Sequence, residues 1–101
     1  YIKVMMFKIV NQSLYLCDSI GNLGRRISEN VAFGTYDESQ KIFLITKVNG
    51  SLETKDIMGN NIRVLSQGVL EARFSGTDIL VRKRDGKNVL IDKMGNIKRY
   101  F

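Results

Sequence analysis

The chain has 101 residues, of which 44% are hydrophobic and 26% charged, a composition typical of one soluble globular domain rather than a disordered segment. It contains no proline, tryptophan or histidine and a single cysteine, Cys17. An internal disulfide, a Cys/His zinc site and a catalytic histidine are therefore excluded within one chain, and we expect neither a metal nor a cofactor. We predict that Cys17 is a small buried hydrophobe in a strand rather than a reactive thiol.

The formal net charge of +6 permits attraction to nucleic acid, an anionic membrane or an acidic protein. Strand alternation would place Arg82 and Arg84 on one face. The alternative is that the basic residues simply form the solvated faces of strands. The best candidate cluster for contact with a polyanion consists of Arg82, Lys83, Arg84, Lys98 and Arg99.

No apolar stretch reaches the about 18–20 residues of a membrane span, since Lys3 and Lys8 interrupt residues 2–10. Nothing resembles the long apolar region and small-residue cleavage site of a signal peptide. We therefore expect a soluble chain without membrane insertion. A cytoplasmic location is favoured.

The first unit, approximately residues 1–30, begins with a predicted core strand around Met5-Met6-Phe7. The turn Asn11-Gln12 follows, and then a partner strand, residues 14–17. A second turn leads to a third strand over residues 23–27. Only residues 1–4 precede the core strand, so this unit is predicted to lack its leading strand, which either lay upstream of the given sequence or is supplied by the topology.

The second and third units, approximately residues 31–68 and 69–101, repeat this order and add a leading strand. Their core strands contain Phe43-Leu44-Ile45 and Ile79-Leu80-Val81, which are apolar throughout. Both faces of such strands are expected to be covered, because a half-exposed strand would alternate. Asn49-Gly50 and Asp85-Gly86 predict type I′ hairpins, with Asn11-Gln12 a weaker form of the same signal. The remaining predicted strands cover residues 31–33, 52–55, 61–65, 69–74, 89–91 and 97–101.

One motif, Asp-x-x-Gly-Asn-x-x-Arg, occurs three times, with its glycines 38 and then 36 residues apart. Gly-Asn allows left-handed backbone, and the preceding Asp can accept hydrogen bonds from amides across the bend. The motif therefore predicts a structural turn that joins the last two strands of each unit. Its members are Asp18, Gly21, Asn22, Arg25, Asp56, Gly59, Asn60, Arg63, Asp92, Gly95, Asn96 and Arg99.

A period of this length predicts a repeat architecture, and the four-stranded meander resembles the blade of a β-propeller. Residues 56–65 resemble the outer turn of NHL-type blades, and residues 85–95 are similar to WG-type β repeats. The chain departs from the second pattern because it has no Trp-Gly. The resemblance implies ligand or partner binding. The chain has eleven predicted strands, whereas three full blades would need twelve.

We therefore expect an all-β single domain, residues 1–101, that forms half of a six-bladed propeller-like ring, because single rings have about four to eight blades. The homodimer, or a higher closed oligomer, would complete the ring. A β-trefoil or another β-barrel is the alternative fold.

The favoured function is a non-enzymatic binding or structural assembly module, with a protein or polyanion as a possible further ligand. A basic adaptor for nucleic acid or another polyanion is one alternative. A second is a repeated binding site formed by the Asp and Arg of each motif. A third is a small hydrolase, although no pair of carboxylates is spaced to predict convergence. Its candidates would be Asp37, Glu38, Glu53, Asp56, Glu71 and Asp78.

Overall fold

The computed structural model describes residues 6–18 and 20–101, which form eleven β-strands in three antiparallel sheets. No α-helix occurs in these two ranges. The all-β prediction of three repeated meanders is confirmed, and within the described ranges the first meander has three strands. The sheets remain separate and do not close into the barrel that the alternative folds would require.

Each sheet is a meander whose strands pair in chain order. The first sheet contains β1 (Met6–Val10), β2 (Ser13–Cys17) and β3 (Leu23–Ser28). The second contains β4 (Val31–Asp37), β5 (Ile42–Lys47), β6 (Leu52–Asp56) and β7 (Asn61–Ser66). The third contains β8 (Val69–Ser75), β9 (Asp78–Lys83), β10 (Asn88–Ile91) and β11 (Ile97–Tyr100). All three sheets fall within the repeat units predicted from the sequence.

The hydrophobic core consists of two clusters, one at each junction between sheets. We call the side of a sheet that faces the next sheet in the chain its forward face, and the opposite side its rear face. Leu14 and Ile27 of the first forward face pack with Val31, Phe43 and Ile45 of the second rear face. The second junction joins Leu44, Leu52 and Leu65 to Val69, Ile79, Val81, Val89 and Ile91. Sheet-on-sheet burial of apolar side chains therefore holds the three units together.

The expectation that every core strand is covered on both faces is correct only for the middle sheet. Phe43, Leu44 and Ile45 of β5 are all buried, because sheets lie on both sides of them. In β9, Leu80 is half-buried, and in β1, Met6 is 41% exposed. Met5 lies outside the described residues. Coverage thus depends on the neighbouring sheets and not on the strand's own composition.

The turns after the three core strands were predicted to be of type I′, and this is correct in the first unit and wrong in the other two. Asn11 and Gln12 both have positive φ, 51° and 64°, and form a two-residue turn of type I′, although their sequence signal was the weakest of the three. Only the glycine has positive φ in Asn49-Gly50 and in Asp85-Gly86.

These two glycine hairpins instead have three-residue loops. In the second sheet, the Lys47 amide donates to the Ser51 carbonyl at 2.8 Å, and the Gly50 amide donates to the Lys47 carbonyl at 2.9 Å. The side-chain oxygen of Asn49 accepts from the Ser51 amide at 3.0 Å. The third sheet repeats this pattern with Asp85. Glycine therefore occupies the left-handed position that ends such a loop.

No helix in residues 6–18 and 20–101 is long and apolar enough to cross a membrane.

Candidate assembly interface

Each Asp-x-x-Gly-Asn-x-x-Arg motif forms the turn before the last strand of its sheet. In the second copy, the Asp56 carboxylate accepts hydrogen bonds from the amides of Met58 and Asn60, both at 2.9 Å. The Asn60 side chain donates to the same carboxylate at 3.2 Å. Gly59 has a φ of +86°, and its amide donates to the Asp56 carbonyl at 3.1 Å. The copies at Asp18 and Asp92 have the same hydrogen bonds.

These hydrogen bonds also fix the charge state of the turn. The bond from the backbone amide of the motif Asn is the main cause that lowers the pKa of Asp18, Asp56 and Asp92 below the ordinary value. Each carboxylate is therefore ionised near neutral pH and already accepts hydrogen bonds from its own turn.

The motif arginines are not paired with the motif aspartates. Arg25 and Arg63 are exposed on β3 and β7, at the outer edges of their sheets. The Arg99 guanidinium lies 4.6 Å from the centre of the Phe101 ring. None of the ion pairs found in the described residues joins a motif aspartate to a motif arginine. The geometry thus offers little support for three repeated Asp-Arg binding sites.

The motif glycines also pack against the sheet before their own. A Cβ placed on Gly95 would lie 2.9 Å from the Leu65 carbonyl oxygen, and one on Gly59 would lie 3.3 Å from the Ile27 carbonyl oxygen. Around Gly21, which has no sheet behind it among the described residues, nothing lies within 4 Å. The turn is therefore also a docking element, a role that the sequence analysis did not identify.

Backbone hydrogen bonds cross each junction at two equivalent places. The Val31 amide donates to the Gln12 carbonyl at 2.7 Å, and the Val69 amide repeats this with the Gly50 carbonyl at 2.8 Å. In these bonds a leading strand is tied to the hairpin loop of the sheet before it. In the second set, the Val48 amide donates to the Asn30 carbonyl at 2.8 Å, and the Arg84 amide donates to the Gly68 carbonyl at 2.9 Å.

A lysine side chain also crosses each junction. Lys83 Nζ donates to Ser66 Oγ at 2.7 Å and to the Gln67 carbonyl at 2.6 Å. At the first junction, Lys47 Nζ donates to Ser28 Oγ at 3.0 Å and to the Glu29 carbonyl. Lys47 and Lys83 are 36 residues apart, so the repeat period itself was the signal that could have identified this contact.

The predicted polyanion cluster is not a free basic patch. Arg84 lies in the loop after β9, so strand alternation does not place it on one face with Arg82, and that prediction is wrong. Arg82 faces Glu71 at 3.6 Å, and Lys98 donates to Asp78 at 2.8 Å. Arg84 donates to the Val48 carbonyl at 2.7 Å. With the contacts of Lys83 and Arg99 given above, each of the five cations is engaged within the chain.

The carboxylates proposed for hydrolysis are also mostly engaged. Glu53 lies 3.9 Å from Lys47 Nζ and 3.8 Å from Lys55 Nζ. Asp37 accepts from the Ser39 hydroxyl at 2.8 Å and from the Ser39 amide at 3.0 Å. The described residues contain no group of three or more His, Cys, Asp or Glu side chains that could hold a metal ion. Cys17 is half-buried at the end of β2.

Two grooves run along the leading strands β4 and β8. One has a volume of about 550 Å³ and is lined in part by Phe33, Ala72 and Arg73. The other, of about 480 Å³, is lined in part by Tyr36, Asp37 and the same Arg73. Both are open depressions between the second and third sheets, and two of the carboxylates beside them, Asp37 and Glu71, are engaged in the contacts with Ser39 and Arg82 given above.

Each inner junction joins the forward face of one sheet to the rear face of the next. At the two ends of the stack, the forward face of the third sheet and the rear face of the first have no such partner among the described residues. Phe101 stands one period after Leu65, which stands one period after Ile27. The latter two are buried, whereas Phe101 is 61% exposed. Leu80 and Leu90 pair across β9 and β10 on the same forward face and are only half-buried. At the other end, Gly21 is the motif glycine with open space around it.

Compared with models of known protein families and with curated proteins, the chain matches none.

Proposed function

We propose that this chain is a non-enzymatic assembly module whose third sheet binds the first sheet of a second copy. The observation that supports it is the junction itself, which recurs twice with the same contacts and presents one unmatched half at each end. In repeat proteins, each unit is stabilised mainly by its neighbours, so an uncovered terminal face favours association.

The two surfaces that would meet are defined by the strand pairing. On the third sheet, Phe101 corresponds to Leu65, and the pair Leu80 and Leu90 corresponds to the pair Leu44 and Thr54; all three counterparts are buried at the second junction. On the first sheet, the rear face carries the cross-strand pairs Met6 with Cys17 and Lys8 with Tyr15. Two such contacts related by a two-fold axis would close six units into a propeller-like ring, because each copy has one surface of each kind.

Binding of nucleic acid or another polyanion, and hydrolysis, stay predictions from the sequence. The engaged cations and carboxylates favour the assembly role over both.

The mass of the protein in solution, measured by light scattering during gel filtration over a range of concentrations, tests the proposal. We expect a species of twice the 11.5 kDa chain mass. Leu90→Arg places a charge on the third forward face and should yield the monomer. Val64→Arg is the matched control, because Val64 is exposed on β7, the outer strand of the middle sheet, and should leave the dimer intact. A monomer at every concentration, or equal behaviour of the two variants, would refute the shared-ring assembly.

A further inference from the structure

The residue before the motif glycine is a large apolar side chain in all three copies of the motif, and it is exposed each time. Ile20 is 81% exposed, Met58 53% and Met94 56%, and we call these three side chains the tips. Their amides donate to the carboxylates of their own motif aspartates at 3.0, 2.9 and 2.9 Å, which fixes the backbone of each tip. Met58 belongs to the middle sheet, which packs against a sheet on each face, so a missing neighbouring sheet does not explain its exposure.

An apolar tip is not a requirement of these turns. Other hairpins of the chain turn through polar residues and glycine, as at Asn11-Gln12, Gly76-Thr77 and Asp85-Gly86. Within the motif, the residue after the Asp is serine, isoleucine or lysine, whereas the tip is apolar in every copy. The chain therefore keeps an exposed apolar side chain where a polar one would suit the same turn.

The docking of the motif turns arranges the tips in a row. A Cβ on Gly59 or Gly95 would lie against the carbonyl oxygen of Ile27 or Leu65, in the last strand of the sheet before. Successive turns thus follow one another along the outer edges of the stacked sheets. Since packed sheets lie about 10 Å apart, the three tips extend over on the order of 20 Å.

Positive charge accompanies this row. Each motif arginine stands five residues after its tip, on the outer strand of the same sheet. Arg25 and Arg63 are exposed, and neither belongs to an ion pair found within the described ranges. The outer edge therefore combines apolar side chains with free cations, in a chain whose net charge is +6.

The shape of this edge favours a bilayer over a protein as its partner. The two grooves described above run along β4 and β8, at the opposite edge of their sheets, so neither can receive a partner's side chains beside the tips. Projecting tips need a partner that takes them up instead. The headgroup region of a bilayer takes up apolar side chains at any point of its surface, and anionic lipids supply phosphate groups for arginine.

We propose that the tips and the motif arginines form a docking surface for an anionic membrane. Ile20, Met58 and Met94 enter the headgroup region, and Arg25 and Arg63 bind lipid phosphates. The chain lies on the bilayer without crossing it. Docking does not rest on self-association, because the turns at Met58 and Met94 already pack within one chain.

Sedimentation with vesicles of equal parts phosphatidylcholine and phosphatidylserine tests the proposal. We expect saturable binding that weakens as salt is raised, and binding at least about tenfold weaker to phosphatidylcholine alone. Met58→Ser combined with Met94→Ser should weaken binding to the anionic vesicles at least about tenfold, because the apolar contact is lost. Phe33→Ser combined with Leu70→Ser is the matched control. These side chains are 49% and 46% exposed on the leading strands, at the opposite edge, and their loss should leave binding unchanged.

A pair of single variants tests the arginines. Arg63→Gln should weaken binding about fivefold at low salt, whereas Arg73→Gln, which removes an exposed arginine from β8, should change it less than about twofold. Circular dichroism establishes that each variant is folded, and Arg63→Gln decides the matter if the double methionine variant unfolds. Equal effects of a variant and its control would overturn the proposal. Absence of saturable sedimentation would also overturn it and leave the row of tips to a protein partner.

Discussion

Three equivalent glycines allow the two roles of the motif glycine to be separated. Gly21 and Gly95 have the same φ, +90°, but a Cβ would meet nothing within 4 Å at Gly21 and would lie 2.9 Å from a backbone oxygen at Gly95. In Gly21→Ala, only the left-handed conformation opposes the new side chain, at a cost of about 1–2 kcal/mol. In Gly95→Ala, the same strain is joined by a clash at the junction, which adds about 1–3 kcal/mol.

Urea unfolding of the dilute monomer measures both free energies of unfolding under identical conditions. We expect Gly95→Ala to be more destabilised than Gly21→Ala by about 1–3 kcal/mol. Gly59→Ala should fall between them, since its closest contact would be 3.3 Å. If alanine at Gly21 costs as much as alanine at Gly95, the glycine is required for its backbone conformation alone and the docking role is refuted. At concentrations where copies associate, Gly21→Ala should also weaken the dimer, because it fills the space that a partner's outer strand would approach.

Two further predictions concern the turns and the junction lysine. Because the folded-state pKa of Asp18, Asp56 and Asp92 lies below the ordinary value of 3.8, these groups contribute stability above that value. This stability should be lost as the pH falls through the lower pKa of the folded state. A urea midpoint that is unchanged from pH 5 down to about pH 2 would contradict the prediction. Replacing all three aspartates by Asn should make the urea midpoint less dependent on pH. Lys83→Met removes two hydrogen bonds across the second junction and should cost about 1–3 kcal/mol by the same unfolding measurement. Lys87→Met, at an exposed position in the loop before β10, is its control, and equal effects of the two would argue against the junction contact.

Strand order and the motif turns follow closely from the sequence because both depend on local chemistry. The Asp of each motif contacts amides two and four residues later, within reach of any sequence-based argument. Turn type was harder to predict, since a glycine suits both a two-residue turn and the final position of a three-residue loop. The pairing register decides between them: Lys47 reaches Ser51, whereas Val10 pairs with Ser13.

The contacts that build the candidate interface could not be predicted in the same way, because they join residues distant in the chain. Arg84 donates to Val48, 36 positions earlier, and Lys83 reaches Ser66, 17 positions earlier. A run of basic residues therefore suggested a polyanion site, although Arg82, Lys83, Arg84 and Lys98 each have a partner on another strand or loop. Coverage of β1 and β9 was overestimated for a related reason: a repeated apolar pattern describes the strand, while its exposure depends on whether another sheet lies on each face.

The exposed face of the third sheet differs from the inner faces in that no sheet among the described residues covers it. Leu80, Leu90 and Phe101 present apolar area without fixed direction, so burial against any complementary sheet would stabilise them. In the proposed assembly, a second copy covers this face with its first sheet, whose strands already pair with one another. Association then requires no refolding of either copy, and the open space at Gly21 lies where the outer strand of the partner would dock.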